Sequence, residues 1–179
     1  MADPFGDTGS FEELAMPLFS RLYNFGYWLS QDRAAAEDLV QETYMKALRG
    51  FPSFQQGTNF RAWMYKILRN TFLTTQTGLK SYSSVSFDDE SEKPPEPEVT
   101  ETPESVLLAR LQQDTIQKAL EELPVKFREI ILLCDLEEMS YQEIGATLGI
   151  PMGTVMSRLS RARKAMRELL AAKLQGASR

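Results

Sequence analysis

Histidine is missing altogether from the 179-residue chain, which removes imidazole acid–base catalysis and histidine-ligated metal sites. Cysteine occurs once, as Cys134, so neither an internal disulfide nor a thiolate zinc cage can form. Its apolar surroundings, Ile130 to Leu133, read as those of a buried structural thiol. No uninterrupted apolar run approaches a membrane span, and the opening residues MADPFGDTGS carry no basic-then-apolar leader pattern. These absences predict a cytoplasmic chain without membrane insertion, and they leave no metal site or cofactor to expect.

Positive charge is also short overall. The net charge of −5 argues against nucleic acid as a partner, because duplex DNA repels an acidic protein. The distribution says otherwise. Residues 80–104, KSYSSVSFDDESEKPPEPEVTETPE, hold eight acids against two lysines, a net of −6, with four prolines and little apolar periodicity. Such a segment is too polar to bury a core and reads as an acidic, proline-rich flexible linker. Residues 1–79 sum to −1 and residues 105–179 to +2, with seven cations against the single acid Glu168 over residues 152–179. The predicted organisation is therefore a domain over 1–79, the linker over 80–104 and a second domain over 105–179.

Both flanks carry helical periodicity and no strand-period segment, which predicts an all-α protein of two small helical domains. Phe11, Leu14, Leu18, Leu22, Phe25 and Leu29 form one helical stripe. Asp32 is placed to cap a second helix through Leu48, and a third is predicted from about Asn59 to Phe72. Thr102-Pro103 reads as a helix start, and Leu123-Pro124 divides that helix from the next.

Toward the C-terminus, Ser140-Tyr141-Gln142-Glu143 fits a capping box. Gly145 and Ala146 allow close helix approach, Gly149 suits a left-handed helix end, and Pro151 restarts a helix with inner stripe Val155, Leu159, Ala162, Met166 and Leu169. A short helix, a glycine turn and a second helix bearing an outward basic face make a helix-turn-helix, whose second helix fits the major groove. A solvated basic face on an ordinary helical hairpin is the alternative reading of the same charges.

The run SYQEIGATLGIPMGTVMSRLSRARKAM resembles region 4 of bacterial ECF (extracytoplasmic function) sigma factors, group 4 of the sigma-70 family. The resemblance implies −35 promoter contacts by Thr154, Ser157, Arg158, Arg161 and Arg163, with Lys164 on phosphate. Met156 stands where many members carry Lys or Arg. The helix DRAAAEDLVQET is similar to region 2.2, and the resemblance implies that Asp38, Leu39, Gln41, Glu42 and Met45 bind the RNA polymerase core (beta and beta-prime subunits), although Leu39 and Val40 read equally as core or interface. FPSFQQGTNFRAWMYKILRNTF resembles regions 2.3 and 2.4. Promoter melting needs aromatic or polar groups to receive an unstacked base and cations to hold the displaced strand. Carried over by position, the loop from Phe54 to Asn59 together with Asn70 forms the −10 pocket, alongside Arg61, Lys66 and Arg69. Trp63 lies in step with Phe60 and Ile67, and its reading stays divided between core packing and DNA contact.

The function implied is an alternative sigma factor, not an enzyme, that binds polymerase core and promoter DNA, with an anti-sigma factor as a further partner. A stand-alone helix-turn-helix transcriptional regulator is the competing reading. In the first case the linker must bridge roughly one and a half DNA turns, about 50 Å at ~34 Å per turn. At ~3.3 Å per residue its fully extended reach is about 80 Å.

Overall fold

The computed structural model describes residues 9–79 and 103–177. The linker reading of residues 80–104, and the cap expected from Thr102, fall almost wholly outside the described residues.

Among the described residues every regular element is helical. Ser10 opens α1 (Phe11–Ala15) through a capping box with Glu13. A 3₁₀ turn, Met16–Leu18, follows and leads into α2 (Phe19–Ser30). The single helical stripe expected from Phe11 to Leu29 is thus broken, because Pro17 offers no backbone N–H to continue the ladder. Gln31 ends α2 in the left-handed conformation, φ 57°. Asp32 then caps α3 (Arg33–Gly50), its carboxylate accepting from the Ala35 amide at 2.7 Å. A 3₁₀ turn at Phe51–Ser53 leads to the loop before α4 (Phe60–Leu79), which runs seven residues past the predicted end at Phe72. Nothing in TFLTTQTGL breaks a helix, and the hydroxyls of Thr74, Thr75 and Thr77 each return to the carbonyl four residues back.

The second unit begins with α5 (Pro103–Glu122) and passes through Leu123-Pro124 to α6 (Val125–Ile131). A π-helical turn, Leu132–Leu136, closes on the bond from the Glu137 amide to the Leu132 carbonyl. Then come α7 (Tyr141–Leu148) and α8 (Met152–Ala177). In the first unit α2, α3 and α4 pack on one another; in the second, α8 packs on α5, α6 and α7. The units also touch, α4 against α7 and α2 against α6, so one continuous apolar core runs from Ala15 to Ala162.

Arg128 is the keystone of that contact. Its guanidinium is buried, and it donates to the carbonyls of Leu120, Glu121 and Leu123 at 2.7–2.9 Å, all at the end of α5. It also reaches the carbonyls of Trp28 and Leu29 near the end of α2, at 3.2 and 3.4 Å. Helix C-termini leave carbonyls unpaired and carry partial negative charge, so a buried cation is satisfied there without a carboxylate partner. Burial pulls the Arg128 pKa down from its ordinary value, with Glu121 opposing, yet a guanidinium keeps its proton. Replacing Arg128 with Leu leaves these carbonyls buried and unpaired, which should cost about 3–5 kcal/mol. Arg128→Lys should recover only part of this, since one ammonium cannot reproduce the fork. Urea denaturation midpoints check both; an Arg128→Leu loss below about 1 kcal/mol would refute the assignment.

Candidate nucleic-acid interface

The helix-turn-helix forms as its residues dictate. The Ser140 hydroxyl accepts from the Glu143 amide at 3.1 Å, and the Glu143 carboxylate accepts from the Ser140 amide at 2.7 Å. Gly149 ends α7 at φ 67°, a conformation that costs an L side chain strain. At Gly145 a Cβ would stand 2.9 Å from the Ile150 carbonyl oxygen, so only glycine lets the turn fold back this tightly. Val155, Leu159 and Ala162 are buried on the inner side of α8.

The outer side of α8 carries Met156, Ser157, Ser160, Arg161, Lys164 and Arg167, all exposed. Three of the six residues predicted for −35 contact, Ser157, Arg161 and Lys164, stand on this face. Thr154 is only half-exposed beside it. The other two arginines are engaged within the chain. Arg163 donates to Asp135 at 2.6 Å, and that bond holds its pKa above the usual value. Arg158 lies 3.8 Å from Glu129. Met156 and Ser160 share the free face but were not among the predicted contacts. Helical spacing from Ser157, Arg161 and Lys164 was the signal available for them.

In the first unit, Asp38, Gln41, Glu42 and Met45 lie exposed along one side of α3. The expectation for Leu39 needs correction. It is 6% exposed, and its side chain packs against α2 where Gly26 permits close approach. The exposed apolar residue that extends the stripe is Leu48, three positions beyond Met45, with Phe19 and Met16 also exposed in α2 and the preceding turn.

The expected −10 pocket also changes. Phe54 is 8% exposed and stacks on Phe51 with ring centroids 5.9 Å apart. It meets Phe60 edge-on at 5.3 Å and Trp63 at 4.9 Å. A ring so enclosed cannot receive a flipped base, so Phe54 is corrected from a DNA contact to the core of an aromatic cluster. Trp63 packs in the same cluster while remaining partly exposed. Of the predicted −10 residues, Lys66 and Asn70 face outward on α4.

The remaining three are held by the second unit. The Asn59 carbonyl oxygen caps the Ala62 amide at 2.9 Å, and its amide nitrogen donates to Glu143 at 2.5 Å. Arg61 reaches the same Glu143 oxygen at 3.4 Å and the Glu137 carbonyl at 3.1 Å. Arg69 forms a fork with Glu129 at 2.8 and 3.2 Å, in which the carboxylate side chain is 3% exposed. Arg21 adds a contact to Glu137 at 3.4 Å. Burial pushes the Glu143 carboxyl up, but the Ser140 amide, Asn59 and Arg61 outweigh it and hold the group below its usual value. Burial and then Glu137 raise the Tyr65 phenol far above its usual range, so it stays protonated in this interface. Cys134 is half-buried rather than buried; burial and Asp135 raise its thiol against the pull of Arg163, which leaves little reactive thiolate.

Among the described residues, a helix-turn-helix unit is thus closed upon the unit of α1 to α4, whose α3 carries an acidic exposed face. Residues 14–78 match the family Sigma-70 region 2, and residues 113–166 match Sigma-70, region 4. The chain is 37% identical over 163 residues to the ECF RNA polymerase sigma factor SigE of Mycolicibacterium smegmatis, covering 90% of this chain and 62% of that one. It is 34% identical to the ECF RNA polymerase sigma factor EcfG of Rhodopseudomonas palustris, covering 91% and 86% respectively. Among solved structures it resembles the sigma factor RpoE of Bartonella quintana, in complex with the anti-sigma factor NepR, with a TM-score of 0.73 and 31% identity over 90% of this chain and 96% of that one. The chain belongs to the ECF sigma factors of the sigma-70 family, an all-α protein with a region 2 domain and a region 4 helix-turn-helix domain.

Proposed function

We propose that this chain is a dissociable specificity subunit of RNA polymerase, which brings the core enzyme to a promoter and helps open the DNA while the polymerase performs the chemistry. The observation that carries the proposal is the presence, in one chain, of two unlike surfaces. One is the acidic and apolar side of α3, with Asp38, Gln41, Glu42 and Met45, extended by Leu48. The other is the basic outer side of α8. A stand-alone regulator needs the second surface but gives no role to the first.

The roles follow from the chemistry. Carboxylates beside exposed methionine and leucine suit a basic, partly apolar helix of the polymerase core. On α8, exposed Arg161 bonds a −35 guanine edge in this reading, with Lys164 on phosphate and Ser157 beside them. On α4, Lys66 and Asn70, with the polar loop from Gln55 to Thr58, face the −10 element, and Arg61, Arg69 and Asn59 join them once released from their carboxylates. Residues 80–104 serve as the connection between the two reading units. An anti-sigma protein is a further partner, by analogy with the Bartonella complex.

Reconstitution with sigma-free core polymerase tests the proposal. Co-elution with core and transcription from promoters in a genomic library are expected. Failure of both, with tight specific binding of the free chain to a palindromic operator, would establish the stand-alone regulator instead.

Two substitutions probe the surfaces separately. Asp38→Ala with Glu42→Ala should weaken competition for core polymerase by about tenfold or more, with the thermal midpoint little changed because both side chains are solvated. Arg161→Ala should cost about 1–3 kcal/mol on the promoter and relax specificity at one −35 base pair. A uniform loss across all −35 sequences would reassign Arg161 to phosphate.

A further inference from the structure

Met156 does not fit the chemistry of the outer side of α8. Its exposed neighbours there, Ser157, Ser160, Arg161, Lys164 and Arg167, are all polar or cationic. Its own side chain is an apolar thioether, and it is 54% exposed. Met152, one turn earlier at the start of α8, is 51% exposed and lies four residues back on the same side. The two methionines form an apolar strip on an otherwise basic face, and an exposed apolar strip marks a place of contact. Tyr141, at the start of α7, is exposed as well. It lines a cleft of about 240 Å³ together with Met156, Leu159, Ser160, Arg163 and Arg167 of α8.

We infer that Met156 sets specificity in −35 recognition: its side chain packs on the 5-methyl group of a thymine near the guanine bonded by Arg161. This deepens the function proposed above and rests on it.

The chemistry of the major groove supports the assignment. Among the four bases only thymine presents a methyl group there, and apolar side chains recognise it by contact rather than by hydrogen bonding. The unbranched, polarizable methionine side chain adapts to the position of such a group. Met156 is the fifth residue of α8, and the residues near the start of a recognition helix are those that reach base edges. A thioether neutralises no phosphate, so the strip adds nothing to sequence-independent binding and has a role only against the bases. Met156 and Arg161 are five residues apart on the helix. That is about 7.5 Å along the axis at ~1.5 Å per residue, or about two steps of ~3.4 Å along a DNA strand. The thymine therefore lies within about three base pairs of the guanine.

The test uses the holoenzyme, reconstituted with core polymerase, and a duplex promoter fragment that it selects. Each thymine of the −35 element, on either strand, is replaced in turn by deoxyuridine. This removes the 5-methyl group and keeps both the base pairing and the O4 acceptor. Fluorescence anisotropy gives dissociation constants for the unsubstituted chain, Met156→Leu and Met156→Ala. At one thymine, loss of the methyl should weaken binding about fourfold, the effect of one buried methyl-sized group. Met156→Leu should keep this dependence. Met156→Ala should abolish it and relax selection at that base pair alone, with the salt dependence of binding unchanged because no charge is altered. The thermal midpoint should also hold, since the side chain lies at the surface. Equal dependence on the methyl in Met156→Ala and in the unsubstituted chain would overturn the assignment. So would a selected −35 element with no thymine within about three base pairs of the guanine. A loss in Met156→Ala that is the same for every −35 sequence would overturn it too, and would assign the strip to a protein surface of the polymerase. These outcomes strike Met156 alone; a reconstituted polymerase that selects no promoter defeats the functional reading, and the assignment falls with it.

Discussion

Arg128 sets the geometry on which the rest of the molecule depends. A buried guanidinium needs acceptors in several directions, and here the ends of two helices supply them. The C-termini of α2 and α5 converge because one cation satisfies both. Its neighbour Glu129 points to other partners and takes Arg69 and Arg158. Two consecutive residues of opposite charge on α6 thus bind the first unit in two ways, one through backbone carbonyls and one through a side-chain cation. The two bonds differ in kind. Carbonyls offer Arg128 nothing that DNA competes for, whereas Arg69 is a group that phosphate also wants.

That difference divides the intramolecular contact into a structural part and an exchangeable part. The apolar packing and the Arg128 bonds fix which surfaces meet. The pairs Arg69–Glu129 and Arg61–Glu143 add ion pairs across the same contact. The net charge of −5 takes on a narrower meaning in this light. Particular cations are matched by particular acids, and Arg161, Lys164 and Lys66 are left outward.

Local rules explain how much of this was legible beforehand. The capping box at Ser140–Glu143, the Asp32 cap, the glycine turn at Gly149 and the division at Pro124 all act within a few residues, and all formed. The position of the helix-turn-helix followed from them. Leu39 and Phe54 were misplaced because an apolar residue at an interface and one in a core look the same in sequence; only the closeness of α2 to α3, and the rings of Phe51, Phe60 and Trp63, distinguish them. The pairs of Glu129 and Glu143 with the first unit were invisible for another reason. They join residues 60 to 84 positions apart, and no periodicity reports on contacts of that range.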